Sequence, residues 1–327
     1  MSGVDPMSKF KVLYMNYATE DVYKIIRSQL PEGFELVTLK KDDDNERREK
    51  IKEVDFIIVA TAKVTEALLK NAKKLKLIQH QGVGYDNIDV LAAKRMSIPI
   101  GLTPEGTSIG VAEHTILLIL AVYKKLVIAH NSLLKGEWLQ FALRPESYEM
   151  YGKTLGLVGF GRIGREVAKR AKPFDVRILY YDKYIHVAPE EKEKLGVEEV
   201  SFEKLLAESD IVSLHVPSTN ETESMMNRQN FKAMKRSAIL INTARGSLVN
   251  EKDLYEALVD KVIAGAGLDV FEKEPPSPEN PLFKLDHVVL TPHISAGTKD
   301  ALIAKMRAAF ANIVRVTRGE KPINLVP

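Results

Sequence analysis

The stretch Thr154-Leu-Gly-Leu-Val-Gly159-Phe160-Gly161-Arg162-Ile163-Gly164 decides the fold. An apolar run ends in a glycine-rich turn, and the turn opens onto a helical pattern. This is the strand–turn–helix of a dinucleotide-binding βαβ unit. Gly159 permits the tight turn off the strand, Gly161 lets backbone amides approach a pyrophosphate, and Gly164 lets helix and sheet pack closely. Arg162 and Ile163 open the helix, whose N-terminus carries the partial positive charge that phosphates need. Asp182 follows 18 residues after Gly164, at the end of the next apolar run, Arg177–Tyr181. A carboxylate there can accept both ribose hydroxyls and repel a 2′-phosphate. NAD is therefore expected over NADP, with the neighbouring Lys183 weakening the preference.

Reading outward, a βαβ series runs from Thr154–Val158 through Arg177–Tyr181, Ile211–Val216, Ala238–Asn242, Gly265–Leu268 and Val288–Leu290. An earlier series alternates strands at Lys11–Met15, Phe34–Leu39, Val54–Ala60 and Leu75–His80 with helices at Asp21–Leu30 and Thr65–Lys73. Alternation at this spacing implies parallel sheets with helices on their faces. Between the series, Ile98-Pro-Ile-Gly-Leu-Thr-Pro104 has a hinge-like composition. Ser108–Leu126 then reads as a long apolar helix that must be buried on nearly all sides, in a core or against a second subunit. The last helix, Lys299–Arg318, has no adjoining strands to cover and is expected to return to the first domain. The expected organisation is a discontinuous substrate domain (residues 7–102 and 294–327) and a cofactor domain (residues 103–293).

Three residues in the second series stand beside turns that follow strands. Arg245, in Asn242-Thr-Ala-Arg245-Gly246, can grip a carboxylate with its planar fork and polarise a neighbouring keto oxygen. Glu274 precedes Pro275 and Pro276, which restrict its backbone. His293, in Thr291-Pro-His293, is the side chain suited to proton transfer near neutrality, and Glu274 beside it would fix its tautomer. A cation, a carboxylate and an imidazole suffice to hold a 2-oxo acid and move one proton. The remaining histidines (His80, His114, His130, His186, His215 and His287) read as structural, with His215 nearest the cofactor. No pair has metal-ligand spacing.

Composition narrows the classes. At 327 residues two domains are expected, and 45% hydrophobic with 28% charged residues is ordinary for a globular protein. A net charge of +3, evenly spread, argues against a nucleic-acid partner. The run Arg47-Arg-Glu-Lys50 reads as a solvated helix face. The absence of cysteine excludes disulfides and thiolate chemistry and agrees with a reducing cytoplasm. The longest apolar candidate, Thr115–Val122, falls short of the ~18 residues a membrane span needs. Met1–Pro6 reads as an added leader, with Met7 as the native start.

Taken jointly, these residues resemble the D-isomer-specific 2-hydroxyacid dehydrogenases over essentially the whole chain. The matching stretches are Gly82-Val-Gly-Tyr-Asp-Asn-Ile-Asp89, Val111-Ala-Glu-His114, Leu157–Gly164, Asn242–Gly246, Leu268-Asp-Val-Phe-Glu-Lys-Glu-Pro275 and Thr291-Pro-His293. The resemblance implies two Rossmann-like parallel-sheet domains, with the NAD-binding domain inserted in a flavodoxin-like substrate domain. It implies that Arg245 binds and activates substrate, His293 is the acid–base and Glu274 orients and tunes it. The amides of Val83 and Gly84 would hold the substrate carboxylate, and Asp269 would meet the nicotinamide carboxamide. Val216, Pro217, Thr222 and Thr243 would line the cofactor, and the helix region 108–126 would build a homodimer.

Departures from the family's patterns bear on the substrate. Ala60-Thr61 stands where phosphoglycerate-type members carry Arg-Ser, so a dianionic phosphate loses a partner. Glu274 stands where formate dehydrogenases place Gln. Leu102 replaces a frequent hinge Asn, and Lys124-Lys125 replace an Arg. The resulting expectation is an NAD(H)-dependent reductase of a small 2-oxo acid such as glyoxylate or hydroxypyruvate. The rivals are an NAD(H)-sensing corepressor-like protein, a 3-phosphoglycerate dehydrogenase lacking the regulatory domain, and a phosphite-handling oxidoreductase.

Overall fold

The computed structural model describes residues 10–326, so the proposed leader and the start at Met7 lie outside the described residues. The chain forms two compact units: residues up to Thr107 joined by those from Thr298, and Ser108–Gly297.

In the first unit, five strands are found among the described residues: β1 (Phe10–Tyr14), β2 (Phe34–Val37), β3 (Phe56–Val59), β4 (Leu77–His80) and β5 (Ile100–Leu102). All pair in parallel, in the order β2-β1-β3-β4-β5, the flavodoxin-like arrangement. Side-chain alternation sorts the apolar residues onto two faces. Val12, Tyr14, Phe56, Ile58 and Leu77 pack with Tyr23 and Ile26 of the helix Glu20–Arg27. They also pack with Met306, Phe310 and Ile313 of the helix Lys299–Thr317. Leu13, Ile57, Val59, Ile78 and Ile100 meet Leu68, Leu69, Ala92 and Ala93 on the opposite face.

A buried polar chain ties the late helix to this sheet. Asn312 Nδ2 donates to Gln79 Oε1 at 2.7 Å, and Gln79 Nε2 donates to Thr103 Oγ1 at 2.8 Å. The backbone amide of Ile323 returns to Asn312 Oδ1 at 2.8 Å.

The second unit holds β6 (Thr154–Val158), β7 (Arg177–Tyr181), β8 (Val197–Glu199), β9 (Ile211–Leu214), β10 (Ile239–Asn242), β11 (Gly265–Leu268) and β12 (Val288–Leu290). They too are parallel, in the order β12-β11-β10-β9-β6-β7-β8. The winding direction reverses between β6 and β9, the position where such sheets open a ligand crevice. Leu155, Leu157, Ile178, Ile211 and Ile241 face the helices Ser108–Tyr123 and Arg162–Ala171. The latter buries Gly164, Val167, Ala168 and Ala171, one stripe at helical spacing. No helix among the described residues is long and apolar enough to cross a membrane.

Several elements differ from the sequence expectation. The hinge-like segment contains β5, because Ile100 enters the core in spite of the flanking Pro99. The helix expected over Thr65–Lys73 is one turn, Glu66–Leu69, capped by Thr65. The short strand β8 and the helix Val90–Arg95 carried no separate expectation.

The long apolar helix stops at Tyr123. Lys125 adopts a left-handed conformation, and a second helix, Leu126–Leu134, follows. The first of these helices is largely buried, while Ile109 and Leu117 are half exposed within this chain.

Arg47 is the exception to the solvated-face reading of its run, which the exposed Arg48 and Glu49 follow. The helix Asp44–Lys50 forms, yet Arg47 is only 7% exposed. Its Nε donates to Met15 O at 2.9 Å and Nη1 to Asp44 Oδ1 at 2.8 Å, while Nη2 pairs with Asp42. Arg47→Ala is expected to destabilise the first unit by about 1–3 kcal/mol, because a buried carbonyl loses its donor. Urea unfolding followed by circular dichroism would measure this, and an unchanged midpoint would return Arg47 to the surface.

Candidate active site

The residues singled out in the second unit gather along one edge of its sheet. Gly159 follows β6, Asp182 follows β7, Val216 follows β9, Arg245 follows β10, Glu274 follows β11 and His293 follows β12. All are carboxyl ends of parallel strands, where backbone turns leave side chains free to meet a ligand.

The glycine turn has the geometry of a phosphate cradle. Gly159 has φ +98°, and a side chain there would strike the backbone of His215 at 2.6 Å. At Gly164 a Cβ would lie 2.4 Å from Gly159 O, so only glycine allows this approach of helix and turn. At Gly161 the nearest atom to a Cβ would be Ile185 Cδ1 at 3.9 Å. That space is open, and the residue is the N-cap of the helix Arg162–Ala171, with no side chain capping its first amides. Those amides remain available for anionic oxygens. Asp182 Oδ2 accepts from Phe160 N at 2.7 Å, and Oδ1 accepts from Tyr184 N and Ile185 N at 2.9 Å. The carboxylate thus stands against the glycine turn with one lone pair, on Oδ2, to spare. These residues fit a dinucleotide.

Around them, Thr222 Oγ1 donates to Pro217 O at 2.7 Å, and the buried Thr243 Oγ1 lies 3.0 Å from Thr115 Oγ1. His215 backs onto Gly159 through its main chain. Its ring points to Ser213 Oγ at 2.9 Å, and burial pushes its pKa down to about 3, so it stays neutral.

On the next three strands the chemical groups converge. Asn242 staples the turn after β10: its Nδ2 donates to Arg245 O at 2.8 Å and its Oδ1 accepts from Ala244 N at 3.1 Å. Gly246 then runs directly against the loop after β11, where a Cβ would sit 1.9 Å from the carbonyl of Phe271. This close approach brings the loops of Arg245 and Glu274 together.

His293 Nδ1 is 2.7 Å from Glu274 Oε2. Because an ionised carboxylate only accepts, Nδ1 carries the hydrogen and donates, leaving Nε2 directed elsewhere. Burial would push the Glu274 carboxyl up. The hydrogen bonds from His293 and Phe271 N, with the charges of His293 and Arg245, outweigh it and hold the group below the usual carboxylate range.

The residue that sequence reading left without this role is Asp269. Its side chain is wholly buried, and Oδ1 accepts from Thr291 Oγ1 at 2.6 Å and from Ile294 N at 2.9 Å. Its Oδ2 accepts from Ser295 N at 2.9 Å, and its backbone carbonyl accepts from His293 N at 2.8 Å. His293 itself has φ +52°, a conformation costly to a non-glycine residue unless its surroundings enforce it. Asp269 enforces it from both sides.

His114, set aside as structural, joins this cluster through Thr291 Oγ1 at 2.9 Å and stands 3.6 Å from Asp269. Burial pushes its pKa down against the pull of Asp269. The signal in the sequence was the Thr two residues before His293, which is the donor that Asp269 needs.

Val83 and Gly84 belong to the first unit, in the loop after β4. Val83 is exposed, and the preceding Gly82 accepts from Thr103 N at 3.0 Å.

Residues 116–295 match the family model described as D-isomer specific 2-hydroxyacid dehydrogenase, NAD binding domain. The chain is 43% identical to a glyoxylate reductase of Thermococcus litoralis, over 97% of each chain. The chain belongs to the D-isomer-specific 2-hydroxyacid dehydrogenase family. This dehydrogenase is also 43% identical to a D-3-phosphoglycerate dehydrogenase of Methanocaldococcus jannaschii, covering 97% of this chain and 59% of that one. Among solved structures it resembles a glyoxylate reductase from Paecilomyes thermophila, with a TM-score of 0.83 and 29% identity over 98% and 99% of the two chains. As a family member, the dehydrogenase uses a nicotinamide dinucleotide to interconvert 2-oxo acids and D-2-hydroxy acids.

Asp269→Asn replaces one of the two oxygens that together accept from three donors by an NH₂, which meets at least one donor head-on. The expected outcome is a loss of about 1–3 kcal/mol in stability and, as His293 shifts, a fall in kcat on the order of 10²-fold. Thermal unfolding and steady-state reduction of a 2-oxo acid would be compared. Unchanged kcat in a destabilised variant would show that the clamp does not position His293.

Proposed function

We propose that this dehydrogenase reduces glyoxylate or hydroxypyruvate with NADH, His293 acting as the proton donor. The observation that carries the reading is the 2.7 Å hydrogen bond between His293 Nδ1 and Glu274 Oε2, beside the loop that presents Arg245. When bound, the reduced nicotinamide supplies a hydride to C2 of the substrate. The chain must supply the second hydrogen as a proton, and His293 Nε2 is the atom left to give it to the keto oxygen.

Glu274 holds the imidazole in the tautomer that leaves Nε2 available. Arg245 can pair its guanidinium with the substrate carboxylate and draw electron density from the adjacent carbonyl, aiding the charge that develops there. The amides of Val83 and Gly84 are retained as carboxylate donors on the strength of their motif. Asp269 is retained for the nicotinamide carboxamide, and Arg162, Ile163, Val216, Pro217, Thr222 and Thr243 for the remainder of the cofactor.

The glyoxylate reductase relatives support the small substrate, as does Ala60-Thr61 at the end of β3, where the Arg-Ser pair of phosphoglycerate-type members is missing. Asp182, with its carboxylate at the glycine turn, supports NAD over NADP.

A cytoplasmic homodimer completes the proposal. Leu126, Leu133, Leu134 and Trp138 are each more than half exposed and adjoin the helix region 108–126, together with Ile109 and Leu117. Exposed apolar residues of this size and number are expected to be covered by a second copy.

His293→Ala is expected to lower kcat on the order of 10²–10⁴-fold, as loss of a general acid does. Loss of NADH absorbance with glyoxylate would report it, and near-normal turnover would sink the assignment. Arg245→Lys keeps the charge but loses the paired planar contacts. It is expected to lower kcat/KM roughly 10–10²-fold, an ammonium being a point charge without the fork. Unaltered efficiency there would remove Arg245 from the substrate.

A further inference from the structure

The lip beside Asp182 carries a second charge that the proposed NAD preference has to overcome. Lys183 is the next residue, and an ammonium beside the ribose is the group that a 2′-phosphate would seek. It is engaged elsewhere. Lys183 Nζ lies 2.7 Å from Glu221 Oε2, and the same oxygen accepts from Tyr184 Oη at 2.8 Å. The ammonium also lies 5.4 Å from the centre of the Tyr184 ring, so charge and aromatic face hold it on one side.

Glu221 comes from the loop that follows β9, whereas Lys183 and Tyr184 follow β7. Since β6 lies between β9 and β7, the bridge joins the two loops that flank the glycine turn. The β9 loop is itself braced. Thr222 Oγ1 accepts from Thr219 N at 2.8 Å and donates to Pro217 O at 2.7 Å, which fixes where Glu221 starts. The two partners agree in direction: the hydrogen bond from Lys183 holds Glu221 below the usual carboxylate range, and that to Glu221 holds Lys183 above the usual ammonium range.

We propose that Glu221 is a cofactor-specificity residue that withholds Lys183 from the 2′-phosphate of NADP. The inference rests on the reading that Asp182 faces the ribose. Asp182 and Lys183 alone would nearly cancel, and a dianionic phosphate would find a cation at hand. With Glu221 the three side chains sum to one negative charge, and Lys183 is already paired.

The pair is exposed, so its own contribution to stability is small, and its effect is felt by a ligand charge placed beside it. Glu221 therefore accounts for how a chain with Lys directly after its ribose carboxylate can still prefer NAD.

The test is isothermal titration of the purified full chain with NAD⁺ and NADP⁺. Glu221→Gln is expected to tighten NADP⁺ relative to NAD⁺ on the order of 3–10-fold, the size of one unit charge acting through a largely solvated gap. In the Lys183→Met background the same change is expected to give less than half of that gain. An unchanged NADP⁺:NAD⁺ ratio in Glu221→Gln, or an equal gain with and without Lys183, overturns the masking. Asp182→Ser serves as the control on the underlying reading. If it shifts the ratio while Glu221→Gln does not, the masking alone fails; if it leaves the ratio unmoved, the ribose assignment fails and the inference with it.

Discussion

One buried carboxylate organises the chemical end of the second unit. Asp269 has no contact with water, and such a group survives in an apolar interior only when donors surround it. Here the donors are the hydroxyl of Thr291 and the amides of Ile294 and Ser295, all from the loop that carries His293. The desolvation cost of the anion and the left-handed backbone of His293 are thus solved by the same contacts. Neither would persist alone. The direction of the imidazole, and with it the meeting with Glu274, follows from that arrangement.

The parallel sheet explains why the glycine turn and the His293–Glu274 pair come from residues so distant in sequence. Every strand ends on the same edge, so each successive loop delivers one group: amides after β6, a carboxylate after β7, a guanidinium after β10, a second carboxylate after β11 and an imidazole after β12. Loops this short cannot reach far, and the backbones themselves must come close. Gly246 against Phe271, Gly164 against Gly159 and Gly159 against His215 are points where that closeness leaves no room for a β-carbon.

Much of this was legible beforehand, for identifiable reasons. The strands around Gly159 and Asp182 announce themselves because burial on both faces demands continuous apolar runs bounded by turns. Arg245, Glu274 and His293 could be picked out because each stands beside a turn that follows such a run. What stayed hidden depends on three-dimensional neighbours. Arg47 sits in a string of charges and reads as solvated, yet a carbonyl at Met15, far away in sequence, draws it inside. β5 lies beside a proline that argues against a strand, and only its place at the edge of the sheet makes it one. Asp269 looks like any turn residue until the Thr291 loop folds over it. The bridge from Lys183 to Glu221 spans 38 residues and no local pattern signals it.

The helix Lys299–Thr317 has a consequence for how the protein is made. Its residues Met306, Phe310 and Ile313 cover the face formed by Val12, Tyr14, Phe56, Ile58 and Leu77. A ribosome releases that face before its cover, with all of the second unit in between. At synthesis rates of about 5–20 residues per second, the nascent sheet waits roughly ten to forty seconds with one side bare. Over that interval the second unit can complete its own core. Vectorial synthesis therefore finishes the inserted unit before the one that encloses it, and the uncovered early strands are the surface that a nascent-chain chaperone would meet.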